Sequence, residues 1–121
     1  MTRNLPRLQD YLNHILEAIE RIESYVEDMS ELEYLESNLV KDAVIRNFEV
    51  IGEASHNIEV RYPEFNKQHP ELPLAVAYQM RNAVAHGYFK VDQEIVWKTI
   101  HRDLPELYKM VNAAKATLVN S

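Results

Sequence analysis

Apolar residues return along the first thirty positions at intervals of four and three: Leu8, Leu12, Ile15, Ile19, Ile22, Val26 and Met29. That spacing draws one stripe down a long amphipathic helix, because about 3.6 residues complete a turn. Asn4 suits its N-cap, and Pro6 is tolerated in the first turn, where a backbone N–H has no helical partner. A second stripe runs through Val40, Val44, Phe48, Ile51, Ser55 and Ile58, with Gly52 inside it. A mid-helix glycine costs about 1 kcal/mol against alanine, so Gly52 is read as a point of close helix approach.

The periodicity then stops. Pro63, Pro70 and Pro73 crowd the stretch YPEFNKQHPELP, too many for a helix interior. Pro73 can open the next helix, read over 74–86 with Leu74, Ala77, Met80 and Val84 on its inner stripe and Gly87 at its C′ position. FKVD is a short connector, and Asp92 the N-cap of a further helix whose Ile95, Val96 and Ile100 continue the core. Asp103-Leu104-Pro105 interrupts that helix and starts a last one, striped by Leu104, Leu107, Val111, Ala114 and Leu118. No stretch alternates as a strand does, and there is no internal repeat. The pattern predicts an all-α bundle of four main helices, the last broken or kinked near Pro105, with residues 1–121 as a single domain.

Composition narrows the chemistry. The chain is 46% hydrophobic and 26% charged, ordinary for a soluble domain. It has no cysteine, which removes disulfides, zinc–thiolate sites and thiol nucleophiles. Arg3, Arg7 and Asp10 interrupt any signal-like start, and no apolar run approaches the roughly 20 residues of a membrane span, so a cytosolic protein is expected. The net charge of −6 argues against a general nucleic-acid binder. Its distribution is uneven: residues 1–36 carry −6, residues 37–78 carry −2, and residues 79–121 carry +2. Anions respond to local potential rather than to the total.

Two sets of side chains invite a chemical reading. Glu53-Ala54-Ser55-His56 has the Glu-x-x-His spacing of di-metal carboxylate bundles, but such sites need a second copy, and none exists. Glu53 and His56 are read as a polar helix pair, and no metal is assigned. His14, His69 and His101 show no partner pattern and are expected at the surface. The second set is RNAVAHGY, residues 81–88, in the net-basic third. Five residues turn a helix by about 500°, so Arg81 and His86 would lie about 140° apart on a continuing helix. Asn82 and His86, at i and i+4, share a face. If the helix ends at Gly87, His86 is released to turn, Arg81 can reach the same opening, Asn82 can fix the imidazole tautomer, and the Tyr88 phenol follows in the connector.

An imidazole can move protons near neutral pH, and a guanidinium offers a planar fork to a phosphate. Together they suffice for metal-independent RNA cleavage, in which the substrate's own 2′-hydroxyl is the nucleophile and no cofactor is needed. A plainer reading stands beside it: His86 compensates a helix dipole at a C-terminus and Arg81 makes a salt bridge.

Arg81-x4-His86-x-Tyr88, with Asn82 after the arginine, resembles the signature of the HEPN superfamily, and more closely the HepT-like toxin family of prokaryotic toxin–antitoxin modules. RNFEVIGEAS at 46–55, MRNAVAHGY at 80–88 and VWKTIHRDLPEL at 96–107 are similar to that family in the same order, so the resemblance covers most of the chain. It implies a HEPN-type helical homodimer with the two motifs facing across the dimer axis, and a ribonuclease toxin with Arg81 and His86 catalytic. It also implies an antitoxin that is a small nucleotidyltransferase, in some systems transferring AMP to the tyrosine matching Tyr88. Arg46 falls in a family-like segment and is given a supporting role at most. The rival implication is a non-catalytic module that binds nucleotides or a transferase partner.

Overall fold

The computed structural model describes residues 5–73 and 92–119, and every element in them is helical. In chain order these are α1 (Leu5–Val26), α2 (Glu31–Glu36), α3 (Asn38–Arg61), α4 (Pro63–Gln68), α5 (Gln93–Arg102) and α6 (Leu104–Val119). The all-α bundle read from the sequence is the architecture found, including the interruption of the last helix, which falls at Asp103 between α5 and α6. The helix expected over 74–86 and the cap expected at Asn4 lie outside the described residues.

α1 and α3 are the most extensively packed pair, and α6 closes on α1 from another side. The stripe of α1 is buried as its spacing requires: Leu12, Ile15, Ile19 and Ile22 are wholly inaccessible, with Leu8 and Val26 nearly so. Fully burying such a side chain stabilises by about 1.5–3 kcal/mol. Met29 falls beyond the end of the helix, its N–H bonded to the Val26 carbonyl at 3.0 Å. From α3 the core takes Val44, Phe48, Ile51, Ala54 and Ile58, and Gly52 is buried among them. Leu104, Leu107, Val111 and Ala114 of α6 complete it.

Three polar side chains are buried on helices: Asn47, Ser55 and Thr99. Each donates to a carbonyl one turn back, Asn47 Nδ2 to Ala43 O at 2.9 Å, Ser55 Oγ to Ile51 O at 2.7 Å and Thr99 Oγ1 to Ile95 O at 2.8 Å. Local bonding of this kind removes the cost of burying an unpaired polar group.

Four details depart from the periodicity. α2 is a separate six-residue helix that the stripes did not reveal; a capping box at Ser30 and Glu33 nucleates it, and Tyr34 anchors it in the core. Pro63, read as part of a helix-free break, sits at the first turn of the short helix α4, where its missing N–H costs nothing. Ile95, expected in the core, is 60% exposed, because the inward face of α5 is the one that carries Val96, Thr99 and Ile100. His69, expected at the surface, is half-buried with its ring against that of Phe65.

Candidate functional site

The residues singled out for chemistry, Arg81, Asn82, His86 and Tyr88, lie outside the described residues. The described chain builds what holds the two ends of that segment. Upstream, Phe65 of α4 is buried and the His69 ring stacks on it, with centroids 4.4 Å apart. His69 Nδ1 lies 3.1 Å from Glu71 Oε2, and Leu72 is buried with its N–H bonded to the His69 carbonyl at 3.1 Å. A bond from its own backbone, then the His69 contact, holds the Glu71 carboxyl below its ordinary range. The chain is thus fixed to the bundle as far as Leu72, by one ring stack, one polar pair and one buried leucine.

Downstream, Asp92 caps α5 as its position predicted, one carboxylate oxygen accepting from the N–H groups of Glu94 at 3.1 Å and Ile95 at 3.2 Å. The next residue, Gln93, accepts a hydrogen bond from the Tyr34 hydroxyl at 2.5 Å. Tyr34 is fully buried, its ring centroid 5.3 Å from that of Trp97, and burial pushes its phenol up to about 12. It remains a neutral donor at any physiological pH. Trp97 in turn stacks on His101, which is exposed as expected.

A second feature was not read from the sequence as a site. A cleft of about 360 Å³ opens between α1 and α3, walled by Tyr11 and His14 on one side and by Arg46, Glu49, Val50, Glu53 and Asn57 on the other, with Ala54 at its base. His14 is exposed, as expected. Arg46 stands at the rim, 3.7 Å from Glu49, with most of its side chain in solvent. A helical-face pattern was the available signal: 46, 49, 53 and 57 recur at intervals of three and four on α3. Glu53 is exposed and His56 half-buried on the same helix, and among the described residues no group of three potential ligands could hold a metal ion. No helix among the described residues is long and apolar enough to cross a membrane.

An all-α bundle with these anchors and this motif defines a class, and comparison with known proteins identifies it. The family model "Ribonuclease HepT-like" matches residues 15–114. The chain is 41% identical over 99 residues to the "Probable ribonuclease HepT" of Thermococcus cleftensis, covering 82% of this chain and 87% of that one. It is 35% identical over 101 residues to a "Putative RNase" of Caldanaerobacter subterraneus, covering 84% and 88%. It is also 40% identical over 97 residues to the "Gamma-glutamylcyclotransferase and putative RNase" of Methanocaldococcus jannaschii, where the match covers 80% of this chain but only 42% of that longer protein. No solved structure matches. The chain belongs to the HepT-like family of the HEPN superfamily.

Proposed function

We propose that this protein is a metal-independent RNA endonuclease and the toxin of a toxin–antitoxin module. The observation that carries the reading is the intact Arg81-x4-His86-x-Tyr88 set in a chain whose family and relatives are described as ribonucleases. In this reading the RNA 2′-hydroxyl attacks the adjacent phosphorus, and the bond to the 5′-oxygen of the next nucleotide breaks. The products are a 2′,3′-cyclic phosphate and a free 5′-hydroxyl. An imidazole at His86 takes the proton from the attacking hydroxyl or supplies one to the leaving oxygen. Arg81 binds the phosphate and the charge that grows on it, which a bidentate guanidinium does better than an ammonium. Asn82 holds the His86 tautomer.

One chain has a single histidine at the motif, so acid and base roles together call for two motifs in one cleft, and a C2 homodimer provides them. The partner that restrains the toxin is a small nucleotidyltransferase. Its step on Tyr88 is attack of the phenol oxygen on the α-phosphorus of ATP, with departure of pyrophosphate. The attached AMP then occupies the place of an RNA phosphate beside Arg81.

Purified protein should cleave RNA in the presence of a chelator. His86→Ala should lose about 10²–10⁴-fold of that rate with its helical content intact. Arg81→Lys should recover little of what Arg81→Ala loses. Cleavage by His86→Ala at the unmodified rate rules the assignment out. With ATP, magnesium and the cognate transferase, the chain should gain the mass of AMP at Tyr88, and Tyr88→Phe should not. The second reading, a non-catalytic module for a transferase, draws on the net charge of −6, and nucleotide binding without RNA cleavage would establish it.

A further inference from the structure

The cleft between α1 and α3 has a composition that helix packing alone does not require. Its α1 wall is aromatic: Tyr11 and His14 stand one turn apart, their rings edge to face with centroids 6.2 Å apart. Tyr11 is braced by a second edge contact, to Tyr62, at 6.3 Å. Its α3 wall is polar and runs about 16 Å along the helix, from Arg46 to Asn57. Ala54, buried at the base, is the small residue that gives the cleft its depth. Glu53 is engaged within the chain, which leaves Arg46 and Glu49 as the charged pair that can read a ligand. At about 360 Å³ the space lies at the small end of ligand sites and suits one ring system with its sugar.

Charge decides which part of a nucleotide belongs there. Arg46 is balanced by Glu49 at 3.7 Å, so the cleft holds no surplus of positive charge for a phosphate. That contact is long, with 73% of the arginine side chain in solvent, and exposed pairs of this kind are weak. A ligand that turns an acceptor to Arg46 and donors to Glu49 can replace it at little cost. Among the RNA bases guanine presents that order in full. Its O6 accepts, and the adjacent N1–H and N2–H donate together to one carboxylate. Adenine and cytosine set an amino group beside a ring nitrogen that carries a lone pair, and uracil sets its single N–H between two carbonyls. Unpaired RNA bases are read along this edge while the ring lies on an aromatic side chain.

We propose that the α1–α3 cleft binds one unpaired guanine base of the RNA. Glu49 accepts from N1–H and N2–H, Arg46 donates to O6, and the ring lies against Tyr11. The inference rests on the ribonuclease reading for the source of the base, but recognition is measured by binding and needs no cleavage.

Heptamers of 2′-O-methyluridine with one central guanine, inosine or adenine test it, because their attacking hydroxyl is blocked and they cannot be cut. By fluorescence anisotropy with the full chain, the guanine heptamer should bind about tenfold or more tighter than the adenine one, the size of one bidentate base contact. Inosine, which lacks the N2 amino group, should fall between. Glu49→Gln, checked for its fold by circular dichroism, should weaken the guanine heptamer about tenfold and leave the adenine one unchanged. A contact made only to phosphates predicts the opposite sign, since removing a negative charge strengthens the binding of every heptamer. Free guanosine should displace the guanine heptamer, and cytidine should not. Equal binding of the three heptamers, or a guanine preference that survives Glu49→Gln, overturns the proposal. Binding of guanosine without any preference among heptamers assigns the cleft to a free nucleoside and overturns it too. A guanine preference in a chain that cuts no RNA keeps the site and removes the ribonuclease, and cutting without that preference does the reverse.

Discussion

α1 and α3 are of similar length and pack on each other, yet they divide their surfaces differently. α1 has one buried stripe, and every position in it with high exposure is polar or charged except Tyr25, at 38%. α3 buries fewer large side chains, admits Gly52, Asn47 and Ser55 to its inner face, and leaves Leu39 and Val60 in solvent. A helix that only holds a core gains nothing from leaving Leu39 and Val60 in solvent. The contrast separates a helix that serves the fold from one that also presents a surface.

The largest expected effect lies in α1. Leu12→Ala or Ile19→Ala removes a wholly buried side chain where facing helices cannot collapse, and should cost about 2–5 kcal/mol in chemical denaturation. On α3, Gly52→Val forces a branched side chain into a buried contact and should cost about 1–3 kcal/mol. Were Gly52→Val neutral, Gly52 would not mark a close approach. Leu39→Ala, on the solvent face of α3, should change stability by less than about 0.5 kcal/mol. A loss comparable to Leu12→Ala would erase the distinction between the two helices.

Smaller effects belong to α2, which joins them. Tyr34→Phe leaves Gln93 without its donor and should cost about 1 kcal/mol. The folded phenol is raised to about 12 from an ordinary value near 10, so the neutral form is favoured in the fold. That contribution is fully present below about pH 10 and is lost as pH rises from there through about 12. Tyr34→Phe should remove this segment of the alkaline transition. Ser30→Ala, smallest, should cost about 0.5–1 kcal/mol by opening the capping box. Bonds from the Ser30 backbone, then its side chain, lower the Glu33 carboxyl. Its support is therefore present above the ordinary carboxylate value and disappears as pH falls through the lowered one.

Periodicity carried most of the bundle, because a stripe at intervals of three and four has one way to be buried. It placed the stripes of α1, α3 and α6, the Asp92 cap and the break before Leu104. It did not reveal α2 or α4, because six residues are too few to show a period, and caps rather than stripes define them. The motif was legible as chemistry, since Arg81, His86 and Tyr88 carry their reactivity in their side chains. How they stand toward one another is a tertiary matter outside the described residues.

By itself, then, the sequence determined the helical class, the residues that must be buried and the family to which the chain belongs. It did so because each depends on residue type and spacing along one chain. Only the tertiary structure decided that Ile95 faces solvent while Val96 faces the core, that His69 is held against Phe65, and that Tyr34 reaches Gln93 across 59 positions. It also decided that Leu39 and Val60 have no core to enter. Such outcomes depend on which helix lies opposite, and a single helix's periodicity carries no information about its neighbour.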